Sequence, residues 1–223
     1  MDPYRKSWNE RQHALRQALA RPEEHLQAIA LFLTQHAMVH TAGMSQSGLW
    51  SFEDETWDGL TAEELRRIPP GQEHAIVWLL WHITRIEDIT LSLLVAGRSQ
   101  LFRRDGWQPR LKISVADTGN ATHAQDIAEL SETIDLDALK AYRLAVGRST
   151  REIVQNLQPG QFKNKVDPSR LAQVSAEGAV APAAHEILDY WGGLTIAGLL
   201  LMPPTRHSFI HLNEALRVRQ NMR

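Results

Sequence analysis

The stretch from Gln72 to Val95 restricts the fold of this chain more than any other segment. Its apolar positions recur at alternating steps of four and three residues, which places them along one side of an α-helix. These positions are Ala75, Leu79, Ile86, Ile89 and Leu93, and His82 is the one polar residue on the same side. Gly97 follows and is suited to end the helix, because glycine readily adopts the left-handed conformation of a C-terminal cap. A helix of this length with a continuous apolar side is typical of a helical bundle.

Comparable patterns predict the other helices. A polar amphipathic helix is expected from about 3 to 20, and helices should start at Pro22 and Pro182, since proline suits the first turn of a helix. The helix after Pro22 should bury one side, formed by Leu26, Ile29, Leu33, His36 and His40. Asp135 can cap a helix over 136–157.

The segment 98–134 has mixed charge with scattered glycine and proline, and it reads as a long connection. Within it Leu111–Val115 has the alternation of a short strand, but no other segment offers it a convincing partner. We therefore predict an all-α protein with one domain over 1–223. The predicted architecture is a four-helix bundle with extra short helices, in which the helix near 3–20 is an N-terminal extension.

Composition excludes several classes of function. The 223 residues contain no cysteine, so disulfides, thiolate metal sites and cysteine nucleophiles are excluded. A net charge of -2 gives no support for nucleic acid or an anionic membrane as partner. The first residues are polar, which argues against a signal peptide. No apolar run is long enough to predict a membrane span. We expect a soluble, cytoplasmic protein.

The region near the C-terminus carries the first candidate site. Pro203 and Pro204 should interrupt the preceding helix, and Thr205 can cap a new one that begins at Arg206. His207 and His211 are then four residues apart on one helix face, an arrangement in which two imidazoles can share a metal ion. Glu214 follows on the same face, one turn further on.

His82 strengthens this interpretation because it lies in an otherwise apolar helix side, where an imidazole needs a partner. With His207 and His211 it would provide three nitrogen ligands and leave a coordination position open, which is the pattern of catalytic zinc and related divalent ions. The simpler alternative is that each is an ordinary core or surface histidine with one hydrogen bond. Trp78 and Trp81 flank His82 and could wall a pocket beside it.

His36 and His40 form a second pair with the same spacing. They either end a buried helix side near solvent, which is the interpretation we favour, or line the same cavity as substrate contacts and supports for the ligands. Glu214, Asp88 and Glu87 are candidates to orient a ligand histidine or transfer a proton, with Glu214 and Asp88 preferred.

The run Leu80–Asp88, followed by Gly97, resembles the second core helix of the DinB/YfiT-like metal-binding superfamily, and the late H-x-x-x-H of residues 207–211 is similar to its closing helix. The resemblance implies a four-helix bundle whose histidines, here His82, His207 and His211, bind one divalent ion. In that family the ion is usually assigned as zinc or nickel, and we keep iron and manganese as further candidates.

The resemblance also implies a class of reaction. Members of the family transfer low-molecular-weight thiols to electrophiles or catalyse related isomerase or hydrolase chemistry. We therefore expect a metal-dependent transferase or hydrolase with a small-molecule substrate, and a homodimer. Two alternatives remain: a non-enzymatic, stress-related binding or dimerisation bundle with a structural histidine cluster, and a haem site within the bundle.

Overall fold

The computed structural model describes residues 2–222, and its regular structure is helical. The α-helices are α1 (Pro3–Leu19), α2 (His25–Ala37), α3 (Ala42–Ser45), α4 (Phe52–Trp57), α5 (Ala62–Arg66), α6 (Ile76–Asp88), α7 (Leu101–Arg104), α8 (Trp107–Leu111), α9 (Ala124–Thr133), α10 (Leu136–Gln155), α11 (Pro168–Ala176), α12 (Glu186–Gly192), α13 (Ile196–Leu201) and α14 (Ser208–Gln220). Short 3₁₀ turns cover Pro22–Glu24, Gln161–Lys163 and Pro182–Ala184, and π-helical segments cover Ile89–Ala96 and Met202–His207. Within residues 2–222 the only strand-like pairing is an isolated bridge between Lys165 and Thr195, so the predicted all-α class is confirmed.

Helix α6 lies at the centre of the fold. Every residue from Ile76 to Asp88 is buried, and the helix packs against α10, α14, α5 and α9. The π-helical continuation ends at Gly97, which has a φ of 63°, as predicted from the sequence. The helix is therefore enclosed on all sides, whereas the sequence pattern indicated a single apolar side.

Helix α2 is rotated relative to its prediction. It begins at His25 after a 3₁₀ turn, and its buried side contains His25, Ala28 and Phe32. Leu26 is 80% exposed. At the start of the helix the buried side therefore lies one residue earlier than predicted, at His25 rather than at Leu26. The 3₁₀ turn at Pro22–Glu24 sets where the helix begins and so which side faces the core.

The connection 98–134 contains the short helices α7, α8 and α9, and the strand considered at Leu111–Val115 does not form. Leu111 and Ile113 are buried, which explains the apolar alternation. Two carbonyls of this segment find donors without a partner strand. The Leu111 carbonyl accepts from Asp135 N at 3.0 Å, and the Ser114 carbonyl accepts from Gln108 Nε2 at 2.8 Å.

The helix predicted to follow Pro182 is divided into α12 and α13. At the division the Leu194 carbonyl accepts from Val166 N at 3.3 Å, and Ile196 N donates to the Asn164 carbonyl at 2.9 Å. Asn164 and Val166, which precede α11, thus form hydrogen bonds with backbone groups that a continuous helix would pair internally. The predicted helix over 136–157 is observed as α10, with the Asp135 side chain accepting from Ala138 N at 3.1 Å.

The predicted break at Pro203 and Pro204 is also wrong. The chain continues from α13 through the π-helical segment into α14, and Thr205 does not cap a new helix. Its hydroxyl donates to the carbonyls of Leu200 and Leu201, at 3.0 and 2.9 Å. Because the two prolines lack N–H groups, carbonyls in the preceding turn lose their usual donors, and the buried hydroxyl replaces them.

This arrangement predicts the effect of Thr205→Val, which keeps the side-chain shape and removes the hydroxyl. Buried carbonyls would lose a donor, so we expect the free energy of unfolding to fall by about 1–3 kcal/mol in urea titrations. Thr34→Val is the matched control, because the Thr34 hydroxyl makes one exposed bond to Ala30 within α2. An equal effect of the two substitutions would contradict the assigned role of Thr205.

Candidate metal centre

Three imidazoles converge between α6 and the C-terminal helix. His82 comes from α6, His207 from the end of the second π-helical segment and His211 from the first turn of α14. Their ring centroids lie 5.1 Å apart for His82–His207 and His82–His211, and 4.6 Å apart for His207–His211. One nitrogen of each lies within 4.8 Å of the others, and the group could hold a metal ion.

The His82 ring is fixed by the loop after α8. Its Nδ1 lies 2.6 Å from the Thr118 carbonyl oxygen, which can only accept, so Nδ1 carries the proton. The lone pair is then on Nε2. The loop itself is held tight, because the Asp117 carboxylate accepts from Gly119 N at 2.6 Å. This is the arrangement in which a second group orients a metal-ligating histidine.

Glu214 fixes the ring of His211 in the same way. One carboxylate oxygen lies 2.8 Å from His211 Nδ1, and the other lies 3.2 Å from His74 Nδ1. Although burial opposes ionisation, the hydrogen bonds from His211 and His74 dominate and lower the pKa of Glu214 to about 2. The carboxylate is therefore ionised at neutral pH and accepts both bonds, which leaves Nε2 as the nitrogen of His211 that has no hydrogen bond within residues 2–222.

His74 is a member of this site that the sequence analysis missed. Its ring stacks on Trp78 at 4.0 Å between centroids, and Trp78 stacks on His82 at 4.9 Å. The three side chains follow one another at steps of four residues, which is a signal that the sequence contained. Together with the bonds of Glu214, this stack joins the N-terminal end of α6 to α14.

His82 and His207 are held in their neutral form. Burial, reinforced by His211, lowers the pKa of His82 to about 3. Burial, reinforced by His82 and His211, lowers the pKa of His207 well below its usual value. Nδ1 of His207 is buried and has no hydrogen-bond partner within residues 2–222. Two neutral imidazoles, with the nitrogen of His211 close to both, fit a divalent ion that accepts nitrogen ligands.

Two clefts reach the centre from different sides. The larger has a volume of about 650 Å³ and includes His82 and His211 in its walls, together with His74 and Trp78. The smaller, about 130 Å³, includes His207. Trp78 therefore forms part of an open wall and does not close the site. Trp81 is fully buried and packs beneath the loop at Gly119.

His36 and His40 lie elsewhere and form a second group with Glu87, all fully buried. Their Nε2 atoms lie 2.8 and 2.9 Å from the two oxygens of Glu87, and the Thr150 hydroxyl donates to the same carboxylate at 2.6 Å. Although burial opposes ionisation, the two imidazoles lower the pKa of Glu87 well below its usual value. These nitrogens already have a hydrogen-bond partner, and neither cleft is lined by this group, so it is the poorer candidate for an ion.

The structure does not bring Asp88 to the three histidines. Its carboxylate accepts from Leu101 N and Phe102 N at 2.9 and 2.8 Å, and from the Tyr142 hydroxyl at 2.7 Å. These bonds attach the connection 98–134 to α6 and α10. Six residues separate Asp88 from His82, which places the two side chains on different sides of the helix.

Comparison with protein-family profiles gives a match to the DinB superfamily over residues 53–189, more than half of the chain. The chain belongs to the DinB superfamily. A search of curated proteins found no match. The DinB match includes His82 and the loop that orients it, whereas His207 and His211 lie beyond its end. No helix in residues 2–222 is long and apolar enough to cross a membrane.

In this DinB domain Gly119 is the residue whose replacement tests the loop. Its φ is 83°, and a Cβ there would lie 2.6 Å from the Trp81 ring, so Gly119→Ala should strain the backbone and displace the Thr118 carbonyl from His82. We expect a loss of about 2–4 kcal/mol in the free energy of unfolding, measured in urea. Gly59→Ala is the control, because Gly59 has a φ of 65° and open space around it. Equal losses would show that contact with Trp81 contributes nothing.

The second histidine group predicts the pH dependence of stability. Burial and the neighbouring His40 lower the pKa of His36 to about 4, despite the opposing effect of Glu87; Arg151 also lowers it. An unfolded histidine titrates near pH 6.5. Between about pH 6.5 and 4 the unfolded chain therefore binds a proton that folded His36 does not, and the free energy of unfolding should fall as pH falls.

For His36 alone the expected loss is about 2 kcal/mol between pH 7.5 and 5. Urea titrations of the metal-free protein at these pH values measure it. His36→Gln should reduce the pH dependence by this amount, whereas His13→Gln, at an exposed position on α1, should leave it unchanged. A wild-type pH dependence in the His36 variant would show that the pKa of this imidazole is the same in the folded and the unfolded chain.

Proposed function

We propose that this DinB-superfamily protein binds one divalent metal ion through His82, His207 and His211 and that it is a metal-dependent enzyme acting on a small molecule. One observation carries the proposal. Hydrogen bonds to Thr118 and Glu214 fix two of the three rings through Nδ1, and their Nε2 atoms make no hydrogen bond within residues 2–222, at a centre beside an open cleft. A closed structural cluster would have no need of that cleft.

The reaction that fits best is transfer of a low-molecular-weight thiol to an electrophile, with hydrolysis as the alternative. A bound divalent ion supplies Lewis acidity and lowers the pKa of a thiol or water molecule at its open position. Zinc and nickel suit three imidazoles, and iron or manganese are further candidates. In the transfer the sulfur forms a bond to the electrophilic carbon, the thiol proton is removed, and the leaving group departs with its electron pair.

The chain's own residues provide the proton acceptor. His74 lies in the wall of the larger cleft with Nδ1 bonded to ionised Glu214, and Nε2 is then the nitrogen through which the neutral ring can accept the proton of a thiol or water in that cleft. Glu214 holds His74 and His211 together and stabilises the imidazolium that forms. Trp78, stacked on both His74 and His82, keeps the rings aligned.

Metal content tests the proposal. We expect about one zinc, nickel, iron or manganese ion per chain in untagged protein, measured by inductively coupled plasma mass spectrometry. His207→Ala should lose it, since two remaining imidazoles bind much more weakly. His13→Ala is the control because His13 is exposed on α1.

Glu87→Gln separates the two histidine groups in the same experiment. Metal retained in this variant and lost in His207→Ala assigns the ion to the C-terminal group. If wild-type protein contains no metal and takes up none on titration with Zn²⁺ or Ni²⁺, the enzyme proposal fails. A non-enzymatic binding module would then describe the protein better.

A further inference from the structure

The smaller cleft differs in chemistry from the larger one. Apart from His207 and Asn120, its walls are apolar or aromatic, and they are formed by Ile86, Ile187, Tyr190, Trp191, Met202 and Pro203. None of these wall residues carries a full charge. By contrast the larger cleft contains Glu73, Gln72 and Thr122 beside the histidines. An uncharged, apolar group is therefore the ligand that the smaller cleft suits, because a charged group would lose its hydration without gaining a partner.

Apart from Asn120, the walls come from three parts of the chain. Ile187, Tyr190 and Trp191 belong to α12, Met202 and Pro203 to the second π-helical segment, and Ile86 to α6. Trp191 is 2% exposed and forms part of the core, whereas Tyr190 is 50% exposed. The cleft is thus lined by one buried and one exposed aromatic side chain.

The volume of about 130 Å³ limits the size of the occupant. A dry cavity of about 150 Å³ holds a benzene molecule. The smaller cleft is therefore suited to a single aromatic ring or a branched alkyl group, and it is too small for a larger ring system.

Asn120 lies in the walls of both clefts. Its side-chain amide makes no hydrogen bond within residues 2–222. It directly follows Thr118 and Gly119, in the loop that orients His82, so the same loop presents a free polar group where the two clefts meet. An amide at this point can bond to the polar atom of a ligand whose apolar part occupies the smaller cleft.

We propose that the smaller cleft is a subsite for an uncharged aromatic or branched alkyl group of the substrate, held beside His207, with the polar remainder in the larger cleft. This proposal rests on the proposed function for its role in a reaction, but the binding of an apolar group does not depend on the metal. The substrate class is then a small molecule that carries one compact apolar group next to its reacting centre.

The test uses 4-fluorobenzyl alcohol as a probe, with its binding followed by ¹⁹F NMR titration of the metal-free and the metal-loaded protein. We expect saturable binding to both forms. Ile187→Trp should fill the subsite and weaken binding by about 10-fold or more, since the ring would lose most of its buried apolar contact. Ile68→Trp places the same side chain in the larger cleft and should leave the affinity for the ring within about 2-fold.

Each outcome decides the matter. Unsaturable binding, equal affinity in wild type and Ile187→Trp, or a larger loss in Ile68→Trp would overturn the subsite. Circular dichroism checks that both variants fold; if Ile187→Trp does not, Ile187→Asn gives the same test by making the half-buried wall polar. Probe binding without any metal uptake would refute the proposed enzyme and support the subsite. Metal uptake without probe binding would refute the subsite and leave the proposed metal site standing.

Discussion

The desolvation of polar groups on a fully buried helix is the constraint on which this structure depends. Helix α6 carries His82, Arg85, Glu87 and Asp88, each of which is at most 2% exposed. Leaving such groups without partners would cost several kcal/mol each, so the surrounding elements must supply hydrogen bonds. Each polar side chain thereby fixes the position of a different part of the chain.

The partners show how far this control extends. Arg85 donates to Gln100 Oε1 and to the Ala116 carbonyl, at 2.7 and 2.8 Å, and so attaches two points of the connection 98–134. Asp88 attaches the start of α7, and Glu87 brings α2 and α10 together through His36, His40 and Thr150. His82 donates a hydrogen bond to the Thr118 carbonyl. The loop that orients the candidate ligand is therefore placed by the same requirement that closes the core.

The two histidine pairs illustrate how environment separates structure from chemistry. Both pairs have the same spacing of four residues. At His36 and His40 a carboxylate stands between the rings and accepts a bond from the Nε2 atom of each, so these two nitrogens already have a partner. At His207 and His211 the carboxylate of Glu214 lies behind one ring, and the free nitrogens face His82 and the clefts. The position of the acid relative to the rings makes the difference.

Sequence spacing was sufficient to predict the all-α class, the end of α6 at Gly97 and the helix capped by Asp135. It also brought forward the three histidines that the structure places together, because the i, i+4 rule and the apolar side of α6 are local properties. The contact of Glu87 with His36 and His40 joins positions about fifty residues apart, and no local pattern reports it. The same holds for the Thr118 carbonyl, since a backbone acceptor leaves no trace in residue identity.

Two of the errors have a common physical origin. The division between α12 and α13 and the continuous helix through Pro203 and Pro204 both depend on backbone groups that find partners elsewhere in the fold. Gln12 is the clearest example: from α1, predicted as an extension, its Nε2 reaches the Leu201 carbonyl at 2.9 Å and supports the π-helical segment that carries His207. Helix propensity is assigned to each segment alone, so it cannot include hydrogen bonds between distant segments such as this one.

The π-helical segment also links the fold to the chemistry of the centre. Such segments are rare and are often found at functional sites, because the added residue changes the direction of nearby side chains. Here the segment ends at His207, whose buried Nδ1 has no partner within the described residues, at a cost of about 1–3 kcal/mol. An ion bound by the three imidazoles would bind only the folded chain, because only folding brings the three rings together. Metal binding and the stability of the C-terminal helix are therefore expected to be coupled through the same few residues.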